Sequence, residues 1–130
     1  MEPLDIVNKY LDIIFSKKGD GLPDILVENF SFDDPFTVVR SADEFTEKCA
    51  GWVQVEKSIL MEKQFLDGNQ TCSIYTIEAR TPSGSKERFQ LADYIEVQDD
   101  QISKERVYFF DQVAFAASMG FKDVFLKKYF

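Results

Sequence analysis

The sequence predicts an α+β domain, a cone-shaped two-layer fold with N-terminal helices packed on a strongly curved antiparallel sheet and a short C-terminal helix. Three observations carry this. Apolar residues recur at helical spacing from Leu4 to Ile14, and again at Phe45, Cys49 and Trp52. Period-two alternation then dominates from Val53 to Phe110. Within that stretch Asp67-Gly68-Asn69, Pro82-Ser83-Gly84 and Asp99-Asp100 supply turn chemistry, so it divides into four long strands.

Each element follows from local signals. Pro3 suits a first helical turn, and Leu4, Val7, Leu11 and Ile14 give a helix over 3–17 its apolar stripe. Lys17-Lys18-Gly19 ends it, with basic charge at the negative end of the dipole and a glycine exit. A short helical segment is expected from Leu22 to about Glu28, then a strand from Phe30 to Pro35. Pro35 lacks a ladder donor, so it should end that strand or place it at a sheet edge. Ser41-Ala42-Asp43-Glu44 reads as a capping box for a third helix through Trp52. The four strands are expected at Val53–Leu66, Thr71–Thr81, Lys86–Val97 and Ile102–Phe110, with Glu78 and Arg80 as an outward pair. Asp111 should cap a helix from Val113 to Met119 that stops at Gly120. Phe121, Val124, Phe125 and Tyr129 are spaced for a last amphipathic turn. A sheet bent around the first helix would enclose a conical cavity for a small apolar ligand.

With 130 residues the chain is expected to form one domain, 1–130. It holds thirteen Phe and carries a net charge of −8 without a basic stripe, which argues against nucleic acid and membrane surfaces as partners. There is no His, so Ser-His-Asp and Cys-His sites and His-ligated metals cannot be built. Cys49 and Cys72 stand far apart, which argues against a disulfide framework or zinc site and suits a reducing cytoplasm. No GxGxxG, P-loop or metal-ligand cluster is present, so neither cofactor nor metal is expected. No signal-peptide pattern opens the chain, and its longest apolar run is too short for a bilayer; a soluble cytoplasmic protein is expected.

Two acids interrupt greasy faces. Alternation puts Phe30, Phe32, Asp34 and Phe36 on one side of their segment, and Phe89, Leu91, Asp93, Ile95 and Val97 on one side of theirs. A carboxyl group facing an apolar interior resists ionisation, and such groups cluster at functional sites. Tyr10 borders the inward stripe of the first helix. If Tyr10, Asp34 and Asp93 meet in one cavity, an ionised carboxylate can take a proton next to a carbonyl. A phenol and a protonated acid can then hydrogen-bond the enolate oxygen. Phe32, Phe36, Trp52, Phe89 and Leu91 are the expected ligand-binding wall. The plainer readings are an Asp34 turn opener, an Asp93 tied to a structural Lys, Arg or Tyr, and aromatics that simply pack.

Val7-x-x-Tyr10-Leu11, Asp33-Asp34-Pro35 and Ala92-Asp93-Tyr94 occur in that order. They resemble the segments that hold the general base and two oxyanion donors of ketosteroid isomerase. Arg106-Val107-Tyr108-Phe109-Phe110-Asp111, followed by a small-residue helix to Met119-Gly120-Phe121, is similar to the end of SnoaL-like domains. The chain thus resembles the SnoaL-like, nuclear transport factor 2-like superfamily in element order over nearly its whole length. The resemblance implies the cone fold, a homodimer through the sheet, Asp34 as base, and Tyr10 and Asp93 as donors. The activity it implies is a cofactor-free isomerase or polyketide-cyclase-like reaction on an apolar carbonyl compound. The alternative it implies is a non-catalytic ligand-binding or dimerising module. An epoxide hydrolase would need an Arg beside an acid on a neighbouring strand, which the spacing of Arg80 and Arg88 fits poorly.

Overall fold

A computed structural model describes residues 1–120. The expected last turn with Phe121, Val124, Phe125 and Tyr129 lies outside the described residues. Helix α1 (Pro3–Phe15) and a single turn, α2 (Leu22–Ile25), lead into β1 (Leu26–Asp33) and the two-residue β2 (Val38–Val39). Helices α3 (Ala42–Lys48) and α4 (Ala50–Gln54) follow, then the long strands β3 (Lys57–Asp67), β4 (Gln70–Arg80), β5 (Lys86–Gln98) and β6 (Gln101–Phe109), and last α5 (Gln112–Met119). No described helix is long and apolar enough to cross a membrane.

All six strands join one sheet in the order β2-β1-β6-β5-β4-β3. The expectation of a wholly antiparallel sheet needs correcting here. β1 runs parallel to β6, with Phe32 opposite Glu105 and Asp33 opposite Arg106. The helices and four strands between β1 and β6 supply the long return that a parallel pair requires. β1 ends at Asp33, before Pro35 as expected, and β2 covers only its last two residues, Phe32 and Asp33. Bulges between Met61 and Lys63 on β3, and beside Val97 at the β5–β6 ladder, add local twist and bend to the sheet. The β5–β6 turn is tight, with both Asp99 (φ 47°) and Asp100 (φ 60°) left-handed, as a two-residue hairpin loop of this hand demands.

Alternation on β4 and β5 is regular. Thr71, Ser73, Tyr75, Ile77 and Ala79 point inward, as do Phe89, Leu91, Asp93, Ile95 and Val97. Against this face α1 lays Ile6, Val7, Tyr10, Leu11, Ile13 and Ile14, all buried. Burial of that stripe is what holds the helix layer on the sheet.

Two caps form largely as their residues dictate. Ser41 Oγ accepts from the Glu44 N–H at 3.1 Å, and Asp111 Oδ1 accepts from the Ala114 N–H at 2.9 Å. Glu44 reaches back one residue further than a capping box requires, to the Arg40 N–H at 3.0 Å. The expected helix through Trp52 is broken at Cys49, and the strand begins at Lys57 rather than Val53. Lys57 explains the displacement. Its Nζ donates to the carbonyls of Trp52 (2.8 Å), Val53 (3.3 Å) and Val55 (3.3 Å), closing the exposed end of α4. Glu78 pairs with Arg88, its direct cross-strand neighbour, at 3.1 Å, and Arg80 pairs with Glu56 at 2.6 Å. The expected Glu78–Arg80 pair is therefore not made.

Candidate functional site

Between α1, α3, α4 and the curved sheet lies a cavity of about 650 Å³. Its wall is mainly apolar and includes Phe32, Phe36, Trp52 and Leu91. Phe89 is not on that wall; it packs edge-on against Phe115 at 4.8 Å. Tyr10 and Asp34 both face the cavity. Asp93 does not. It is 0% exposed and sits behind the wall, reached through Tyr75 and Glu105, which do line the cavity.

The polar cluster follows from register. Asp93 on β5 lies opposite Ser73 on β4 and Val107 on β6. Tyr75 and Glu105 are therefore its diagonal neighbours on the inner face, within reach of long side chains. Tyr75 Oη donates to Asp93 Oδ2 at 2.6 Å. From the opposite layer, the Tyr10 hydroxyl donates to Glu105 Oε1. The carboxyl groups of Asp93 and Glu105 adjoin on the inner face, close enough that the Asp93 charge raises Glu105. Among the described residues, neither acid has a cationic partner. Of the plain partners expected for Asp93, a structural Lys, Arg or Tyr, the tyrosine is the one found, and a second acid adjoins it.

Two buried carboxylates side by side cannot both ionise at reasonable cost, so the pair shares a proton. Burial and the Asp93 charge hold Glu105 well above the ordinary carboxylate range. Burial likewise pushes Asp93 up to about 6, against the pull of hydrogen bonds from Glu105 and Tyr75. Glu105 is thus the member whose surroundings favour the protonated form. Asp93 Oδ1 has no other hydrogen-bond partner, which makes it the acceptor of that proton. Tyr10 and Tyr75 stay un-ionised, raised by burial and by these acids.

Asp34 occupies a different corner. Its Oδ1 accepts from the Phe36 N–H at 2.8 Å and the Thr37 N–H at 2.7 Å, while its own N–H donates to the Thr37 carbonyl at 3.1 Å. The turn-opening role and the cavity position coexist in one residue. The parallel β1–β6 pair brings Asp34 near the Glu105 row, close enough that its charge helps to raise Glu105 and Cys49. Burial is the larger cause at Cys49, whose thiol is pushed up to about 12 and is a poor nucleophile. Arg80 reaches the cavity rim, but its guanidinium is held by Glu56 and the Gly84 carbonyl. Among the described residues, no group of three His, Cys, Asp or Glu side chains could hold a metal ion.

Sequence reasoning missed Glu105 and Tyr75. Tyr75 alternates with Ser73 and Ile77 and could have been placed inward. Glu105 alternates with Val107 and Phe109, but Lys104 and Arg106 beside it disguise the face.

No family model matches the sequence, and no curated protein matches it. Solved structures do match in fold. An NTF2-like protein of unknown function from Cytophaga hutchinsonii superposes with a TM-score of 0.70 at 19% identity, covering 88% of this chain and 96% of that one. An LEH-like epoxide hydrolase from M. tuberculosis superposes at 0.74 with 16% identity, covering 97% and 90%. TerC, co-crystallised with polyporic acid, superposes at 0.78 with 12% identity, covering 91% and 98%. At these identities the likeness shows the fold, which is NTF2-like.

Proposed function

We propose that the cavity binds a small, largely apolar carbonyl compound and catalyses cofactor-free proton transfer on it, an isomerisation or aldol-type cyclisation with Asp34 as the base. The observation that carries this reading is one apolar chamber with Asp34 at one corner and a desolvated, proton-sharing acid pair at another. Asp34 takes the proton from the carbon next to the carbonyl, and the freed electron pair moves onto the oxygen. That oxygen lies at the Tyr10–Glu105 corner, where the Tyr10 hydroxyl turns from Glu105 to donate to it. Asp34 then returns the proton to a second carbon of the conjugated system. Asp93, held by Tyr75, acts through Glu105 and does not touch the substrate, a change from the donor role that the resemblance implied for it. Fold neighbours include an epoxide hydrolase and a protein carrying a bound small molecule, which is consistent with chemistry or binding in this chamber. The test is deuterium exchange into simple enolisable ketones. Asp34→Asn is expected to slow exchange by about a hundredfold, the scale of a lost general base. Equal exchange by both proteins would sink the assignment.

A second reading, a dimerising module in a cytoplasmic setting, is favoured by the outer face of the sheet. Leu60 (70% exposed), Phe65 (49%) and Tyr108 (51%) stand there beside half-buried Ile74, Ala92 and Tyr94. Residues of this kind make an interface core when a second copy covers them. Sedimentation is expected to give a homodimer that Leu60→Lys splits; a monomeric wild-type protein at micromolar concentration would remove this reading.

A further inference from the structure

The direction of each hydrogen bond in the acid cluster says what kind of group it can receive. Asp93 is wholly buried and accepts one hydrogen from Tyr75; its Oδ1 meets no other donor among the described residues. Glu105, the diagonal neighbour of Asp93 on β6, is the group placed to supply the missing hydrogen to the unpartnered Oδ1, so its proton is turned inward to Asp93. With that proton committed, Glu105 Oε1 can only accept, and the Tyr10 hydroxyl must be the donor to it. Every polar hydrogen of the cluster therefore points away from the cavity. What Tyr10 and Glu105 present to the cavity is lone pairs.

We infer that the molecule held in the cavity brings its own hydrogen to this corner, as a phenolic or enolic hydroxyl. The inference rests on the cavity being the substrate site, and it narrows the substrate class. A bare ketone oxygen meets two acceptors and binds only when Tyr10 turns, which leaves Glu105 Oε1 unpaired in a buried place. A hydroxyl donates to Tyr10 Oη or Glu105 Oε1 with no rearrangement.

Three compounds of nearly one shape separate the possibilities: 2-naphthol, 2-methoxynaphthalene and 2-tetralone, titrated into the wild-type protein by calorimetry. The naphthol is expected to bind at least about tenfold more tightly than its methyl ether, with the ketone no better than the ether. Glu105→Gln should keep the preference, because its amide N–H can still point to Asp93 and its carbonyl oxygen still accepts from Tyr10. Glu105→Leu should reduce it to about twofold or less. Equal binding of naphthol and ether, or tighter binding of the ketone, overturns the inferred polarity while leaving the cavity as a binding site. Failure of all three to bind overturns the polarity and the cavity reading together.

Discussion

Thermal unfolding followed from pH 8 down to pH 5 should show this protein gaining stability as acid is added. The source is the pair behind the cavity wall. Asp93 and Glu105 are acids whose folded pKa values lie above their unfolded ones, raised chiefly by burial. The folded chain therefore holds protons in a range where the unfolded chain has released them. Their contribution is fully present below the unfolded carboxylate range. It fades for Asp93 as pH rises through about 6, and for Glu105 at higher pH. Between pH 5 and 8 Asp93 should cost about 1 kcal/mol, and Glu105 adds to the loss in the same direction. Acid also relieves the repulsion of a chain with net charge −8. The deciding comparison is thus with Asp93→Asn/Glu105→Gln, which keeps volume and removes both titrations. The variant's profile should be flatter than wild type by about that amount, and parallel profiles would end the shared-proton account.

Phe115→Ala should cost about 3–5 kcal/mol in urea unfolding, the range of a large aromatic removed from a packed site. Phe115 is the buried anchor of α5, stacked on Phe109 at 4.2 Å and on Phe36 at 5.5 Å. It also meets Phe89 edge-on at 4.8 Å and Trp52 at 6.0 Å. Deleting its ring unseats the helix that walls the cavity beside Trp52. Because Trp52 is the single tryptophan, its emission should report the change directly. Val113 on the same helix is exposed, and Val113→Ala should stay within about 0.5 kcal/mol. Comparable losses for the two substitutions would show that α5 is not anchored through Phe115.

Much of this was legible in residue order, and the failures have physical causes. The strands β4 and β5 could be read nearly to the residue because strict alternation pins which side chains go in, Asp93 among them. Asp111 and Ser41 marked their helices because each satisfies backbone donors locally. The parallel β1–β6 pair could not be read: no local signal tells Phe32 that its neighbour will be Glu105, seventy-odd positions later. Lys57 looked like an ordinary strand residue because its role is to close three carbonyls of a helix end. The site was half visible for the same reason. Asp34, Tyr10 and Asp93 were marked by their own segments, whereas Glu105 gained its meaning only from a partner strand and a helix on the other layer.

The parallel pairing also sets a timetable. Its two members are the first and the last of the described strands to leave the ribosome, so the hairpins between them can assemble while the chamber still lacks one side. A nascent chain stalled before Glu105 emerges should hold most of its meander yet retain no small molecule, so ligand capture would report that β6 has been made.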